Sequence, residues 1–165
     1  MARINEDPAV ARYLRNPPGT AFTHTETDDL VDHIREHWER HGFGLYAATL
    51  RQTGELIGFL GLAIPSFLPE ILPAVEAGWR LDAAVWGRGL ATEGALACMR
   101  VAFDDLGLDE VVSIGHAENG ATLRVMEKLG MRPYLEAVHP AHGWPLRVYR
   151  LERSEWEETQ DGLRG

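Results

Sequence analysis

The sequence predicts an α/β domain: a mixed, mostly antiparallel sheet that holds one parallel pair, with helices on both faces. Two observations carry this reading. The strand-like runs AVEAGWRL (74–81) and EVVSIGH (110–116) flank an apolar-periodic segment, 90–106, which makes a right-handed βαβ unit with parallel strands. Four further strand-like runs form two antiparallel hairpins, 44–50 with 55–64 and 134–139 with 146–151, turned by RQTG and PAHGWP. The 165 residues suit one domain, 1–165, long enough to bury ~70% of its unfolded surface.

Each element has a local cause. Asp7-Pro8 starts a helix over 7–15, with proline at the first helical position, and NPPGT (16–20) breaks it. Leu30, Val31, Ile34 and Trp38 share one face of a helix over 28–41, which Gly42 and Gly44 end. Three prolines make 65–73 a loop. The helix over 90–106 puts Ala91, Ala95, Cys98, Ala102 and Leu106 on one stripe, beside Met99 and Phe103, and Gly107 stops it. Asn119 caps a helix over 120–129, which Gly130 closes in a left-handed conformation.

Sixteen basic residues stand against 25 acidic, a net charge of −9. That argues against nucleic acid or an anionic membrane as the main partner, since both favour a basic patch. A small anion held by backbone amides stays compatible, because amides donate without formal charge. Cys98 is the single cysteine, so an internal disulfide and CxxC zinc chemistry are both ruled out, and its place on the apolar stripe makes it a core residue. MARINEDPAV has no signal-like apolar region and no run approaches 18 apolar residues, so a cytoplasmic protein without a membrane span is expected. His33, His37 and His41 recur every four residues. They oppose the apolar face and lack a fourth ligand, so no metal is expected.

The stretch VWGRGLATEG (85–94) opens a helix with two glycines and no Ser, Thr, Asp or Asn as cap. The first N–H groups of a helix are unpaired and carry partial positive charge, so an anion can take the place of a cap. Gly87 and Gly89 would let a phosphate approach the backbone, with Arg88 and Thr92 alongside. The pattern alone fits a tight strand-to-helix turn equally well. A dinucleotide fingerprint would need a glycine where Thr92 stands, and a Walker loop would need Gly-Lys-Ser/Thr.

The run EAGWRLDAAVWGRGLATEGALACMRVAFDDLGLDEV, followed by HAENGATLRVMEKLGMRP, resembles the GNAT superfamily of acetyl-CoA-dependent N-acetyltransferases, and within it the RimJ/RimL-like branch. Residues 86–93 are similar to that branch's pyrophosphate loop. Asn119-Gly120-Ala121-Thr122 is similar to its Asn-x-Ala-Ser/Thr step, and 127–131 to its Glu-Lys-Leu-Gly-Phe helix end. The resemblance implies that the parallel strands splay after residue 81. Pantetheine would then pair with the backbone of Trp79, Arg80 and Leu81, and the amides of Gly87, Arg88, Gly89, Leu90, Ala91 and Thr92 would hold the pyrophosphate. It further implies acetyl transfer to a primary amine, a protein or peptide N-terminus or a small amine, by direct attack. A non-catalytic acyl-CoA-binding module or sensor is the rival reading.

Acetyl transfer needs a base for the amine, a donor for the oxyanion and a proton for the thiolate. Glu76 is the candidate base and acceptor contact, or else a strand glutamate paired with Arg80. Asn119 caps its helix and faces the cofactor. The resemblance implies that Thr122 hydrogen-bonds the sulfur, while Met126 stands where many of these enzymes carry a tyrosine. His116, at a strand end, is a weaker candidate base. Arg124 and Lys128 either reach the 3′-phosphate or form a solvated helix face. Phe67, in the 65–73 loop, and Trp144, in the last turn, are candidate walls of the acceptor pocket, and the Trp79 side chain belongs to the core. The branch usually opens with a strand before its first helix, and this chain begins inside that helix. Strand 44–50 is then an open edge, which an upstream strand or a homodimer would cover.

Overall fold

The structure, a computed structural model, describes residues 1–15 and 17–162. Asn16, in the expected break at 16–20, and 163–165, at the end of the expected domain, lie outside the described residues. Six strands, β1 (Leu45–Thr49), β2 (Leu56–Ala63), β3 (Glu76–Leu81), β4 (Glu110–His116), β5 (Arg132–Val138) and β6 (Pro145–Glu152), form one sheet in the order β1-β2-β3-β4-β6-β5. Neighbours are antiparallel except β3 and β4, which are parallel. This is the mixed sheet the sequence predicts, and it excludes a doubly wound dinucleotide fold. β1 is an edge strand, as expected.

The two faces are packed differently. On one, helix α4 (Leu90–Arg100) lays Ala95, Cys98 and Met99 on Leu62, Ala77 and Val111, all buried. Helix α5 (Gly120–Lys128) adds Met126 to the same cluster. On the opposite face Leu68 and Ile71 of the 65–73 loop join Ala74, Val112 and Val148. That loop therefore gives Leu68 and Ile71 to the core, through a 3-10 turn at Pro69–Ile71, and leaves Phe67 and Leu72 exposed. Burying a leucine or phenylalanine contributes roughly 1.5–3 kcal/mol, which is why these few side chains fix the sheet between its layers.

Several expected boundaries shift. The helix expected over 7–15 is shortened to α2 (Pro8–Ala11), which Asp7 caps through a 2.8 Å bond from the Ala9 N–H, and a further short helix, α1 (Ala2–Asn5), precedes it. The chain then turns, which brings Tyr13 to within 5.1 Å of His116. Helix α3 spans His24–His41, four residues longer than predicted at its start. Thr23 and Glu26 form a reciprocal capping box there, and Arg15 pairs with Glu26, its Nη1 2.9 Å from the carboxylate. The Arg15 pair and the Thr23 donors hold the Glu26 carboxyl at about 2.

α4 passes at Arg100 into a π turn, Val101–Asp105, closed by the Leu106 N–H on the Val101 carbonyl at 2.9 Å. The widened turn rotates Leu106 off the apolar stripe, and it is exposed. Helix α6 (Arg153–Gly162) has no counterpart in the sequence reading, because its composition is polar. Trp156 anchors it, buried and stacked on Phe103 at 5.6 Å, and Arg153 donates to the Phe103 carbonyl at 2.9 Å.

Candidate active site

β3 and β4 share a single rung, Glu76 opposite Val112, with the Val112 N–H on the Val75 carbonyl at 2.9 Å. Ser113 then ends the ladder. It is buried, and its hydroxyl donates to the Ala77 carbonyl at 2.9 Å, occupying the acceptor of the next rung. The strands part at Ala77, four residues before the expected point at Leu81. From Gly78 to Leu81, β3 pairs only with β2. A cleft of about 950 Å³ opens at this fork.

At one end of the cleft, Gly89 caps α4 in the left-handed region (φ 79°) and provides no side-chain bond. Gly87 is also left-handed (φ 73°), and neither glycine has a neighbouring atom where a Cβ would stand. The unpaired amides of the first turn therefore face open space, in the geometry that accepts an anion. Gly87, Gly89, Leu90, Ala91 and Thr92 line the cleft; Arg88 is exposed and outside it. Asp82 caps the 3-10 turn leading into this loop, and Arg3 reaches it at 2.6 Å, tying the N-terminal helix to the loop.

α5 supplies the facing wall. Asn119 caps it by accepting from the Thr122 N–H at 3.2 Å, and Asn119, Thr122, Arg124 and Lys128 all line the cleft. Thr122 sits this near because β4 carries Gly115: a Cβ there would lie 2.9 Å from the threonine methyl. Met126, at the expected tyrosine position, is fully buried and does not line the cleft.

Glu76 stands in the fork itself. Loss of solvation pushes its carboxyl up to about 7, and the Ile114 N–H, freed from the ladder, pulls the other way. A carboxyl near 7 matches what a general base needs at neutral pH. No ion pair with Arg80 is present among the described residues. Arg80 instead donates to Asn5 Oδ1 at 2.9 Å, and Asn5, fully buried, donates to Thr27 at 3.1 Å. Burial brings the Arg80 guanidinium down to about 10. The Trp79 side chain packs against the main core, as expected, while its residue also lines the cleft with Arg80 and Leu81.

The other end of the cleft is aromatic. Phe67 and Trp144 are both there, together with residues the sequence reading did not include, Tyr13 and His139; Phe59, opposite Arg80 in the β2–β3 register, lines the cleft as well. His116 touches Tyr13 and Trp144, and its Nδ1 accepts from the Glu118 N–H at 3.1 Å. Tyr13 is remote in sequence, so only the tertiary fold brings it to the site. His139, in a hairpin turn, carried no periodic signal.

The remaining candidates fall away from the cleft. His37 is not on a solvated face: its Nδ1 meets the Phe43 carbonyl at 2.9 Å and its Nε2 accepts from the Ile64 N–H at 3.1 Å. Among the described residues no group of ligands could hold a metal. Cys98 is buried, and burial raises its thiol to about 11. No helix of the described residues is long and apolar enough to cross a membrane.

A sheet forked at one parallel pair, with an uncapped helix at the fork, defines an acyltransferase-type fold. The family model of the acetyltransferase (GNAT) domain matches residues 1–132, and the chain belongs to that family. It is 35% identical over 134 residues to the FsC-acetyl coenzyme A-N(2)-transacetylase of Aspergillus fumigatus, covering 72% of this chain and 54% of that protein. The chain spans about half to three-fifths of the length of the curated relatives it matches. The crystal structure of an acetyltransferase from Agrobacterium tumefaciens is 30% identical with a TM-score of 0.68, over 81% of this chain and 75% of that one. An aminoglycoside acetyltransferase, AAC(6')-Ib, in complex with coenzyme A shares the fold with a TM-score of 0.77 at 17% identity, over 96% and 91% of the two chains.

Proposed function

We propose that this protein is an acetyl-CoA-dependent N-acetyltransferase of the RimJ/RimL-like branch, a single cytoplasmic domain over 1–165 that acetylates a primary amine by direct attack. The observation that carries this reading is the fork: one cleft joins an uncapped helix start to a carboxyl whose pKa is raised to about 7. Coenzyme A in the related fold of the aminoglycoside enzyme supports it.

In this reading the amides of 87–92 hold the pyrophosphate, and the 3′-phosphate falls to Arg124 and Lys128. Pantetheine lies along the backbone of Trp79, Arg80 and Leu81, where β3 has lost its neighbour. Glu76 takes the amine proton, Thr122 hydrogen-bonds the sulfur, and Asn119 fixes the turn that presents Thr122. Phe67 and Trp144 wall the acceptor. The bare edge of β1 fits a homodimer contact, and the net charge of −9 is consistent with no nucleic acid or membrane partner.

The test is thiol release from acetyl-CoA with a panel of peptides and small amines, for the natural chain and Glu76→Gln. Turnover that the substitution lowers is the expected result. Binding of acetyl-CoA with no thiol release by either protein would favour an acyl-CoA sensor instead.

A further inference from the structure

We infer that the acceptor end of the cleft takes a monoamine carried on a flat aromatic body and discriminates against polyamines and other polycations. This rests on the acetyl-transfer reading above. The charge census of the cleft runs against that of the chain. The chain has 25 acidic and 16 basic residues, yet among the described residues that line the cleft Glu76 is the one carboxylate, against four cations: Arg12 and Arg80, and Arg124 and Lys128, which the reading above gives to the cofactor. A second ammonium on the acceptor would leave water with no carboxylate to meet, a strongly unfavourable exchange.

The rings make the complementary case. Tyr13, His116, Trp144, His139 and Phe67 form a contiguous arc along the cleft, with successive centroids 5.1, 5.4, 5.9 and 5.1 Å apart. The arc is built from four separate segments, and the hairpin that carries its far side is held by the His139 N–H on the Trp144 carbonyl at 2.9 Å. Aromatic faces can also attract cations. Here Tyr13, which ends the arc, already carries one, the Arg12 guanidinium at 5.2 Å from its centroid, and elsewhere in the cleft Arg80 lies 5.1 Å from the Phe59 centroid. Burial keeps His139 below its ordinary range, so the arc gains no charge from it at neutral pH. What remains is a surface for stacking a flat apolar body.

The reaction balances without any further reagent. The amine nitrogen forms a bond to the acetyl carbonyl carbon and the carbon–sulfur bond breaks with its pair on sulfur. The proton lost by the attacking nitrogen goes to Glu76, the released thiolate takes up one proton from water, and Glu76 returns its own to water, so the products are the amide and the free thiol.

The experiment compares 2-phenylethylamine and tryptamine with spermidine and kanamycin. It reads kcat/KM by thiol release and, separately, calorimetric binding to the CoA-loaded protein. The aromatic amines are expected to exceed the polycations by at least roughly tenfold in both readouts, the weight of one aromatic contact plus its buried area. Trp144→Ala should lower the aromatic values by about tenfold and spermidine by less, so that the preference for aromatic amines narrows. Arg12→Glu should raise spermidine, by adding the missing carboxylate. Spermidine or kanamycin equal to or better than the aromatic amines would overturn the inference and leave acetyl transfer standing. Aromatic amines that bind preferentially but yield no thiol would uphold this ligand class and overturn the acetyl-transfer reading. No binding by the aromatic amines would overturn the inference.

Discussion

Glu76→Gln should stabilise the protein at alkaline pH while it removes activity, and both effects follow from one number. The carboxyl is raised from 4.5 to about 7, so between those pH values the unfolded chain releases a proton that the folded chain keeps. Stability therefore falls as pH rises through this window, is complete below 4.5 and has lost its full increment above 7. At 1.36 kcal/mol per pH unit the loss is about 3 kcal/mol, and the partial exposure of Glu76 trims it to roughly 2–3 kcal/mol. Glutamine keeps an oxygen for the Ile114 N–H and cannot ionise. Urea denaturation should then find the variant equal to the natural chain at pH 4 and about 2–3 kcal/mol more stable at pH 8.5. Over the same range kcat/KM of the natural chain should climb with an apparent pKa near 7, and the variant should lose that limb and about 10²–10⁴-fold in rate. Equal stability differences at both pH values, or a rate within a few-fold of the natural chain, would refute the reasoning.

Three further outcomes are expected. Gly89→Ala puts a Cβ in the left-handed region (φ 79°), which should cost roughly 1–2 kcal/mol in thermal or urea unfolding. The methyl also intrudes before the α4 amides, so acetyl-CoA affinity measured by calorimetry should fall about tenfold, the weight of one charge-assisted bond. Asn5→Ala breaks the buried Arg80–Asn5–Thr27 chain and should cost about 3 kcal/mol, read by denaturation; a loss under ~1 kcal/mol would deny that network its role. His37 is held neutral by burial, so its bridge between Phe43 and Ile64 contributes fully above the ordinary 6.5 and weakens as pH falls below it. The stability advantage of the natural chain over His37→Gln, read as the difference between their denaturation midpoints, should narrow from pH 7.5 to 5.5, because the opposite trend from Glu76 is common to both proteins.

The periodic elements were legible because their burial is local in sequence. The stripe Ala95, Cys98, Met99, Ala102 is a plain 3.6-residue repeat, and the alternation of Ala77, Trp79 and Leu81 marks one sheet face. The cofactor loop was legible for the opposite reason: a helix start without a cap is an anomaly that residues 87–92 alone display. The fork was placed four residues late because its cause, the Ser113 hydroxyl on the Ala77 carbonyl, joins residues 36 apart. The aromatic arc was only half visible, since Tyr13 and His139 take their meaning from contacts across the cleft. α6 had no apolar period to announce it, and its anchors, Trp156 and Arg153, act through Phe103, remote in sequence. His37 read as a solvated helix position because its partners lie in other elements.

The central claim is that the fork and the open amides before α4 receive acetyl-CoA. Amide chemical-shift mapping during a titration with CoA tests it most directly. The account predicts saturable shifts concentrated on 87–92 and on Gly78–Leu81, with smaller ones at Asn119 and Thr122. Saturation centred elsewhere on the sheet, or no saturation at all, would contradict it.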